Sequence, residues 1–468
     1  MNKPMNKRII IGILASVLFM EMMDSTIINT AIPEIAKSFQ TNPVNLRFAV
    51  TSYLLSLAIF IPISGWAADT YGTKTVFSNA IIVFTISSIF CGFSNSLWEM
   101  AIFRALQGFG GAMMTPVARL IMVRVFPPHE LVRATMNIFI PALLGPVMGP
   151  LVGGLITSYS NWRWIFFINI PIGIAALLLT YKYIENEVAE NKTDADIIGF
   201  LLIGTSLSCF AIAMESVGET IIPAALLKII LSVGIIAFIM FIIHAIQYKD
   251  RSILNLQLFK YRTFRFGVIG NVIAYISTGG VAFLLPLLFQ LQFGLSPAMS
   301  GLLIAPMAVG AIIMRGISPK LIKKYGFKRV ISIAPLGICF SLLAISFINK
   351  ESSYLYICLS CGFLGFFTIL LMSSNGPMIY VDIPKAKSAN ATSLDITIRQ
   401  FSAGLSIGFV SYLIIVFLNN LNTTIYSIDG IKAFHYTFFI LSMIILIQIL
   451  VSFGLKKQDG EAAAKGSK

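Results

Sequence analysis

The sequence predicts an all-α polytopic membrane protein, and three observations carry that prediction. Of 468 residues, 57% are hydrophobic and only 12% charged, against about 25% charged in a soluble domain. Apolar runs of helix length follow one another with short polar breaks, and a hydrocarbon core about 30 Å thick needs roughly 20 such residues per helix. The runs are continuous rather than alternating, which argues against the strands of a membrane barrel. No stretch is long and polar enough for a separate soluble domain.

In chain order the spans read as 8–32, 47–68, 75–94, 97–124, 131–158, 163–183, 197–216, 224–247, 265–291, 298–319, 327–348, 353–380, 388–418 and 433–455, about fourteen helices. The first follows Lys3, Lys7 and Arg8 but is too long for a signal peptide, carries Glu21 and Asp24 and lacks a small-residue cleavage site, so it reads as an uncleaved helix. The fifth holds Gly145-Pro146-Val147-Met148-Gly149-Pro150-Leu151-Val152-Gly153-Gly154. Breakers at that density would ruin a soluble helix. In a bilayer neighbouring helices re-satisfy the freed backbone groups, and small residues let two helices approach closely.

Two breaks differ from the rest. Glu185 to Asp196 is acidic and polar, in the position of a linker between two six-helix halves with the seventh and eighth helices inserted. Asp250 to Phe264 is basic with apolar residues interleaved, which suits an amphipathic segment on the cytoplasmic leaflet and a plain solvated loop equally well. The expected organisation is an N-terminal six-helix bundle over 1–183, a linker with two inserted helices and the basic segment over 184–264, a C-terminal six-helix bundle over 265–457, and a tail over 458–468 that resembles a helical linker.

Lysines and arginines fix the orientation. Assigned alternately to the breaks, one side holds only Lys37, Arg47, Arg163, Lys228, Lys350 and Lys432. The other holds clusters such as Lys249, Arg251, Lys260, Arg262 and Arg265, or Lys320, Lys323, Lys324, Lys328 and Arg329. The positive-inside rule then places both termini in the cytoplasm. The net charge of +14 is therefore topological, and its scatter through short breaks argues against nucleic-acid binding.

An internal repeat appears in the cytoplasmic turns. Asp69-Thr70-Tyr71-Gly72-Thr73-Lys74 aligns with Lys323-Lys324-Tyr325-Gly326-Phe327-Lys328, sharing Tyr-Gly-x-Lys at equivalent places in the two halves. Glycine permits the tight reversal, and the charges are expected to meet backbone dipoles or a neighbouring helix.

Ionisable side chains at membrane depth cost at least a few kcal/mol each, about 2.5 or more, so each is a functional candidate. Glu21 and Asp24 are three apart on one face of the first helix. Carboxylates this close repel one another, and a proton on either relieves the repulsion; the competing reading is a static ion pair with a basic partner. Arg104 in the fourth helix is the natural partner for an acid of this bundle, with a fixed charge able to report its protonation. Asp395 and Arg399, four apart in the thirteenth helix, form a possible polar pair in the second half and read best as neutralising each other. Arg315 is expected to snorkel, and Glu215, Glu219 and His244 to sit at solvated helix ends.

Chemistry of other kinds is unsupported. Cys358 and Cys361 share a face, but no histidine or acid cluster accompanies them, so no metal site is assigned. There is no Gly-Lys-Ser/Thr phosphate loop, no glycine-rich turn after a strand, and only His129, His244 and His435 to serve a catalytic triad. The chain is expected not to be an enzyme and to need no cofactor.

At these residues the chain resembles the major facilitator superfamily, specifically its fourteen-helix drug:proton antiporter branch, over nearly its whole length. Gly65-x3-Asp69-x2-Gly72-x-Lys74 resembles the cytoplasmic loop motif, with Thr73 where a second basic residue is frequent. Arg104-x2-Gln107-Gly108-x-Gly110 is similar to the fourth-helix motif linked to proton coupling. Gly145-Pro146-x2-Gly149-Pro150-x2-Gly153-Gly154 resembles the fifth-helix antiporter motif, which seals or hinges the bundle interface. Asp24-Ser25-Thr26-Ile27-Ile28-Asn29-Thr30-Ala31-Ile32-Pro33 resembles the first-helix motif, and Trp162-Arg163-Trp164-x2-Phe167-x-Asn169-x-Pro171 the segment at the sixth helix. Lys323 in place of Asp69 makes the second-half charge latch one-sided, and Glu21 is an addition to the family pattern.

The resemblance implies two six-helix bundles plus two inserted helices in the inner (plasma) membrane, a monomer whose partners are protons, a small-molecule substrate and the lipid bilayer. It implies proton-coupled export of amphipathic compounds, cationic ones included, by alternating access, with Asp24, Glu21 and Arg104 in the coupling. Export of one native metabolite, lipid or siderophore is the near alternative, and a non-transporting receptor or scaffold the distant one.

Overall fold

The computed structural model describes residues 7–188, 194–216, 223–384 and 387–456. Lys3, Glu219, the middle of the acidic break and the 458–468 tail lie outside them, as do the side chains of Glu215 and His129. Among the described residues every regular element is a helix, and contacts divide the chain into two units, Met1–Leu201 and Leu202–Lys468.

The first unit contains α1 (Lys7–Ser38), α2 (Arg47–Tyr71), α3 (Thr73–Phe93), α4 (Leu97–Val125) and α5 (Pro128–Tyr159), then a single turn α6 (Trp164–Phe167) leading into α7 (Asn169–Tyr183). α5 lies along α1, α4 packs on α2 and α3, and α7 closes against α3 and α1. Prolines 33, 62, 116, 141, 146 and 150 all sit inside these helices without ending them, as a bundle in lipid allows. α4 starts where Ser96 Oγ accepts from Glu99 N at 3.2 Å while Glu99 Oε2 accepts from Asn95 N at 2.8 Å, a reciprocal cap of the first turn.

The unit boundary falls within α8 (Ile197–Ser216). The second unit continues with α9 (Ala224–Tyr248), α10 (Arg262–Thr278), α11 (Val281–Leu287), α12 (Pro297–Tyr325), α13 (Phe327–Ser346), α14 (Tyr354–Tyr380), α15 (Ser388–Asn420) and α16 (Gly430–Phe453). α14 lies along α12, α16 along α13, and α10 touches α14, α15 and α16. Ser296 and Ser353 cap α12 and α14, supplying an acceptor to first-turn N–H groups.

Among the described residues, twelve spans are long and apolar enough to cross a membrane. α4 and α5, of 29 and 32 residues, add two of comparable length, in keeping with the expected count of about fourteen. The chain is an integral, multi-pass membrane protein.

One local reading is corrected, and two segments gain detail. The ninth span, long and apolar enough to cross a membrane over Arg262–Gln292, carries a short break. α10 ends at Thr278, α11 begins at Val281, and Ser406 of α15 bridges the break, accepting from Gly280 N and donating to Ile276 O, each at 2.8 Å. The backbone groups freed by the break are thus satisfied by a hydroxyl from the next helix. The 250–264 stretch holds two 3₁₀ turns, Lys249–Arg251 and Leu256–Lys260, in contact with α9 and α10; Leu254 between them, Leu258 in the second and Phe264 in α10 are buried, while Lys249, Arg251, Lys260 and Arg265 stay exposed. Ile253, Leu256 and Phe259 beside them are half-buried. His244 is buried and stacks on Tyr248 at 4.2 Å, one helical turn away, rather than standing in solvent.

Candidate functional site

Asp24 and Arg104 meet in the interior of the first unit, each 0% exposed. Arg104 Nη1 donates to Asp24 Oδ2 at 2.5 Å and to Gln107 Oε1 at 2.6 Å. Gln107 Nε2 donates to Asp24 Oδ1 at 3.0 Å, and Asn169 Nδ2 to the same oxygen at 2.7 Å. Asn169 Nδ2 also donates to Ser88 Oγ at 3.0 Å, which in turn donates to Phe166 O at 2.9 Å. Both carboxylate oxygens are therefore occupied by N–H donors from α4 and α7. On the other side, Arg104 stacks 4.2 Å from the Tyr53 ring centroid, and its Nε and Nη2 have no acceptor among the described residues. The guanidinium depends on one carboxylate for its charge balance.

Glu21, one turn earlier on α1, has a different environment. Its Oε2 accepts from Thr115 Oγ1 of α4 at 2.8 Å, and no cation pairs with it among the described residues. Arg104 thus chooses between the two acids, taking Asp24. Arg104, Gln107, Gly111 and Thr115 recur at helical spacing, so α4 presents the partners of both acids along one face.

The glycines of α5 explain how α1 is held. Atoms added as Cβ at Gly145 would come within 2.7 Å of Met23 N. At Gly149 they would meet Thr26 Oγ1, with Ile27 N at 3.1 Å, and at Gly153 they would meet Ile27 O, with Thr30 Oγ1 at 2.6 Å. Spaced by four, these residues bring the α5 backbone onto α1 along the stretch that carries Glu21 and Asp24. Gly154 is buried beside them, and Pro146 and Pro150 lie half-buried in an uninterrupted helix.

The α2–α3 turn is fastened at both ends. Asp69 Oδ1 accepts from Arg124 Nη2 at 2.8 Å, at the end of α4. Lys74 Nζ donates to Tyr181 O at 2.7 Å in the last turn of α7, where carbonyls lack intrahelical donors. Gly72 reverses the chain at φ +93°, and Asn186 closes the turn by accepting from Thr75 N at 3.2 Å. Gly65 has open space where a Cβ would stand. In the second unit Gly326 repeats the reversal at φ +79°, and Lys328 Nζ donates to Leu455 O at 2.6 Å, just past α16. The aligned lysines thus make one contact twice, each tying a turn to the end of its unit's last bundle helix. Lys323 makes no ion pair among the described residues, whereas its counterpart Asp69 does.

Asp395 is buried in the second unit, with Arg399 Nε 3.2 Å from its Oδ2. Asn271 Nδ2 donates to Oδ1 at 3.2 Å and Tyr380 Oη to Oδ2 at 3.4 Å, so the pair belongs to a wider polar cluster.

Sequence reasoning singled out the charges and missed most of their neutral partners. Gln107 and Asn169 lay inside quoted motifs without a role, while Tyr53, Ser88, Thr115 and Asn186 carried none. For Thr115 a signal exists: it stands eleven residues, three turns, beyond Arg104.

A sequence profile described as Major Facilitator Superfamily matches residues 14–407. The chain belongs to the major facilitator superfamily. Among its relatives, a protein of Escherichia coli O6:H1 named "Putative multidrug resistance protein MdtD" is 34% identical over 408 residues, 86% of each chain. Another from Haemophilus influenzae, named "Probable transport protein HsrA", is 32% identical over 453 residues, 96% of each. Solved structures share the fold of this superfamily at low identity. They include a bacterial homologue of the lysosomal transporter Spinster (TM-score 0.67, 14% identity, 97% of both chains) and a peptide transporter, POT, in complex with sulfate (0.71, 14%, 95% and 93%). As a member of the major facilitator superfamily the chain is a transport protein, not an enzyme.

Proposed function

We propose that this transporter is a proton-coupled exporter of amphipathic compounds, working by alternating access between an N-terminal bundle (1–183) and a C-terminal bundle (265–457) in the inner membrane, both termini cytoplasmic. The single observation that carries the coupling is the fully buried Asp24–Arg104 pair. A proton on Asp24 removes the charge that balances Arg104. Leaving a buried guanidinium unpaired costs about 3–5 kcal/mol, enough to favour a different arrangement of the bundle. Proton uptake at Asp24 is thereby tied to a conformational preference, and proton release restores the pair.

Export, rather than transport in general, rests on the glycine and proline pattern of α5 and on the multidrug resistance name of the relatives. The fold itself leaves direction open. The test is transport in proteoliposomes with Asp24→Asn. Loss of pH-driven export with retained substrate exchange supports the reading, and unchanged pH-driven export removes Asp24 from it.

A further inference from the structure

Between α9 and α10, the stretch from Lys249 to Arg265 holds five basic residues and one acid, Asp250. Its two 3₁₀ turns touch one another, both meet α9, and the second also meets α10. Basic residues far apart in the stretch are thereby gathered at one end of the two helices. The arrangement is fixed from inside. Ser252, Leu254, Asn255 and Leu258 are buried, Ser252 Oγ donates to Leu254 O at 3.2 Å, and Asn255 Oδ1 accepts from Gln257 N at 3.0 Å. Lys249, Arg251, Lys260 and Arg265 are left exposed on the outside, and none of them enters an ion pair among the described residues. Asp382 accepts from Thr263 Oγ1 at 2.9 Å. Thr263 is buried and Arg265 exposed, about 200° apart around α10, so this acid does not cancel the patch.

α9 leads to this patch along an apolar surface. Ile239, Ile243 and Ile246 recur at helical spacing and are all exposed, and exposed apolar side chains on a spanning helix face acyl chains. Tyr248, exposed at the last position of α9, is a residue type that settles at headgroup level. Lys249 follows it directly and turns the chain out of the helix at φ +52°. A phospholipid lying along the stripe therefore brings its phosphate to the basic residues. We propose that Lys249, Arg251, Lys260 and Arg265 form the headgroup site of an anionic phospholipid whose acyl chains lie against α9. Charge attracts any anion to such a patch, and the stripe leading into it selects a lipid, since a soluble anion or an acidic peptide leaves that stripe unused. A zwitterionic headgroup carries its own cation and gains less. The site is independent of the direction and the proton coupling of transport.

The test is native mass spectrometry of the full chain titrated with dioleoylphosphatidylglycerol and with dioleoylphosphatidylcholine. Wild type is expected to bind the first molecule of the anionic lipid about tenfold more tightly than the zwitterionic one. Replacing Lys249, Arg251, Lys260 and Arg265 together by glutamine should bring that ratio below about twofold. Exchanging lysine for arginine and arginine for lysine at the same four positions should keep it, which separates lost charge from faulty folding. Removing as many charges at the end of α12, with Lys320, Lys323, Lys324 and Arg329 replaced by glutamine, should also keep it. In wild type itself, added ammonium acetate should lower the ratio by screening, a reading that needs no variant. Glycerol 3-phosphate and poly-glutamate, anions without acyl chains, should not displace the lipid at equal concentration. No preference in wild type, an unchanged ratio in the glutamine variant, its loss in the charge-conserving variant, an equal fall in the α12 variant or a ratio indifferent to salt would each overturn the site. Displacement by glycerol 3-phosphate or poly-glutamate would overturn it in favour of a soluble anion or an acidic partner.

Discussion

Gly149 of α5 lies where a single added carbon would collide with the hydroxyl of Thr26 on α1. The contact is part of a seam in which Gly145, Gly149 and Gly153 bring two backbones together over the stretch bearing both acids. Gly149→Ala should therefore lower stability by about 1–3 kcal/mol, the usual cost of overpacking. Gly65→Ala, with nothing within 4 Å of its Cβ, is the control and should unfold close to wild type in thermal unfolding experiments.

The two cytoplasmic turns make a second comparison. Gly72 and Gly326 both hold a backbone conformation open almost only to glycine (φ +93° and +79°), so alanine at either strains the backbone by about 1–3 kcal/mol. At Gly72 the Cβ would also meet the Asn186 side chain, whereas at Gly326 it meets nothing within 4 Å. Gly72→Ala should therefore be the more destabilising, and Gly72→Ala combined with Asn186→Ala should recover the difference.

In the second unit, Asp395→Asn removes the charge facing Arg399. Breaking a fully buried pair costs about 3–5 kcal/mol. The Arg399 side chain is 32% exposed, so solvent screening reduces the expected loss to about 1–3 kcal/mol. Arg399→Gln in the same chain should return part of it, a coupling readable in a double-mutant cycle.

What the sequence made legible follows from how rare each signal is in an apolar helix. Charges are rare there, so Asp24, Glu21 and Arg104 stood out, and the glycines of α5 did so by their density. Serine and threonine are common in such helices and satisfy themselves on backbone carbonyls, as Thr51 does on Arg47 O at 2.8 Å. Beyond the spacing of Thr115 from Arg104, nothing local marks Thr115 or Asn169 as the partner of an acid, or Ser88 as the partner of Asn169, because the partnership depends on which helices become neighbours. The choice of Asp24 over Glu21 by Arg104 is likewise a matter of helix register, and three residues of spacing leave it open. The break at Gly279 and Gly280 is not marked by hydropathy, because glycine leaves an apolar run apolar; the hydroxyl that bridges it, Ser406, comes from more than a hundred residues away.

Asn169 provides a check on the Asp24 cage without touching either charge. It spans Asp24 and Ser88, so Asn169→Ala leaves one carboxylate oxygen with a single donor, Gln107, and loosens α7 from α3. Substrate exchange should be less affected than pH-driven export, and the ratio of the two rates in proteoliposomes should fall severalfold, about the effect of one buried hydrogen bond.

The most direct test is substrate accumulation against its gradient, driven by an imposed pH difference, in proteoliposomes carrying wild type, Asp24→Asn or Arg104→Gln. Coupling through the buried pair predicts that both variants exchange substrate down its gradient yet fail to accumulate it. Accumulation by Asp24→Asn at the wild-type level would contradict it.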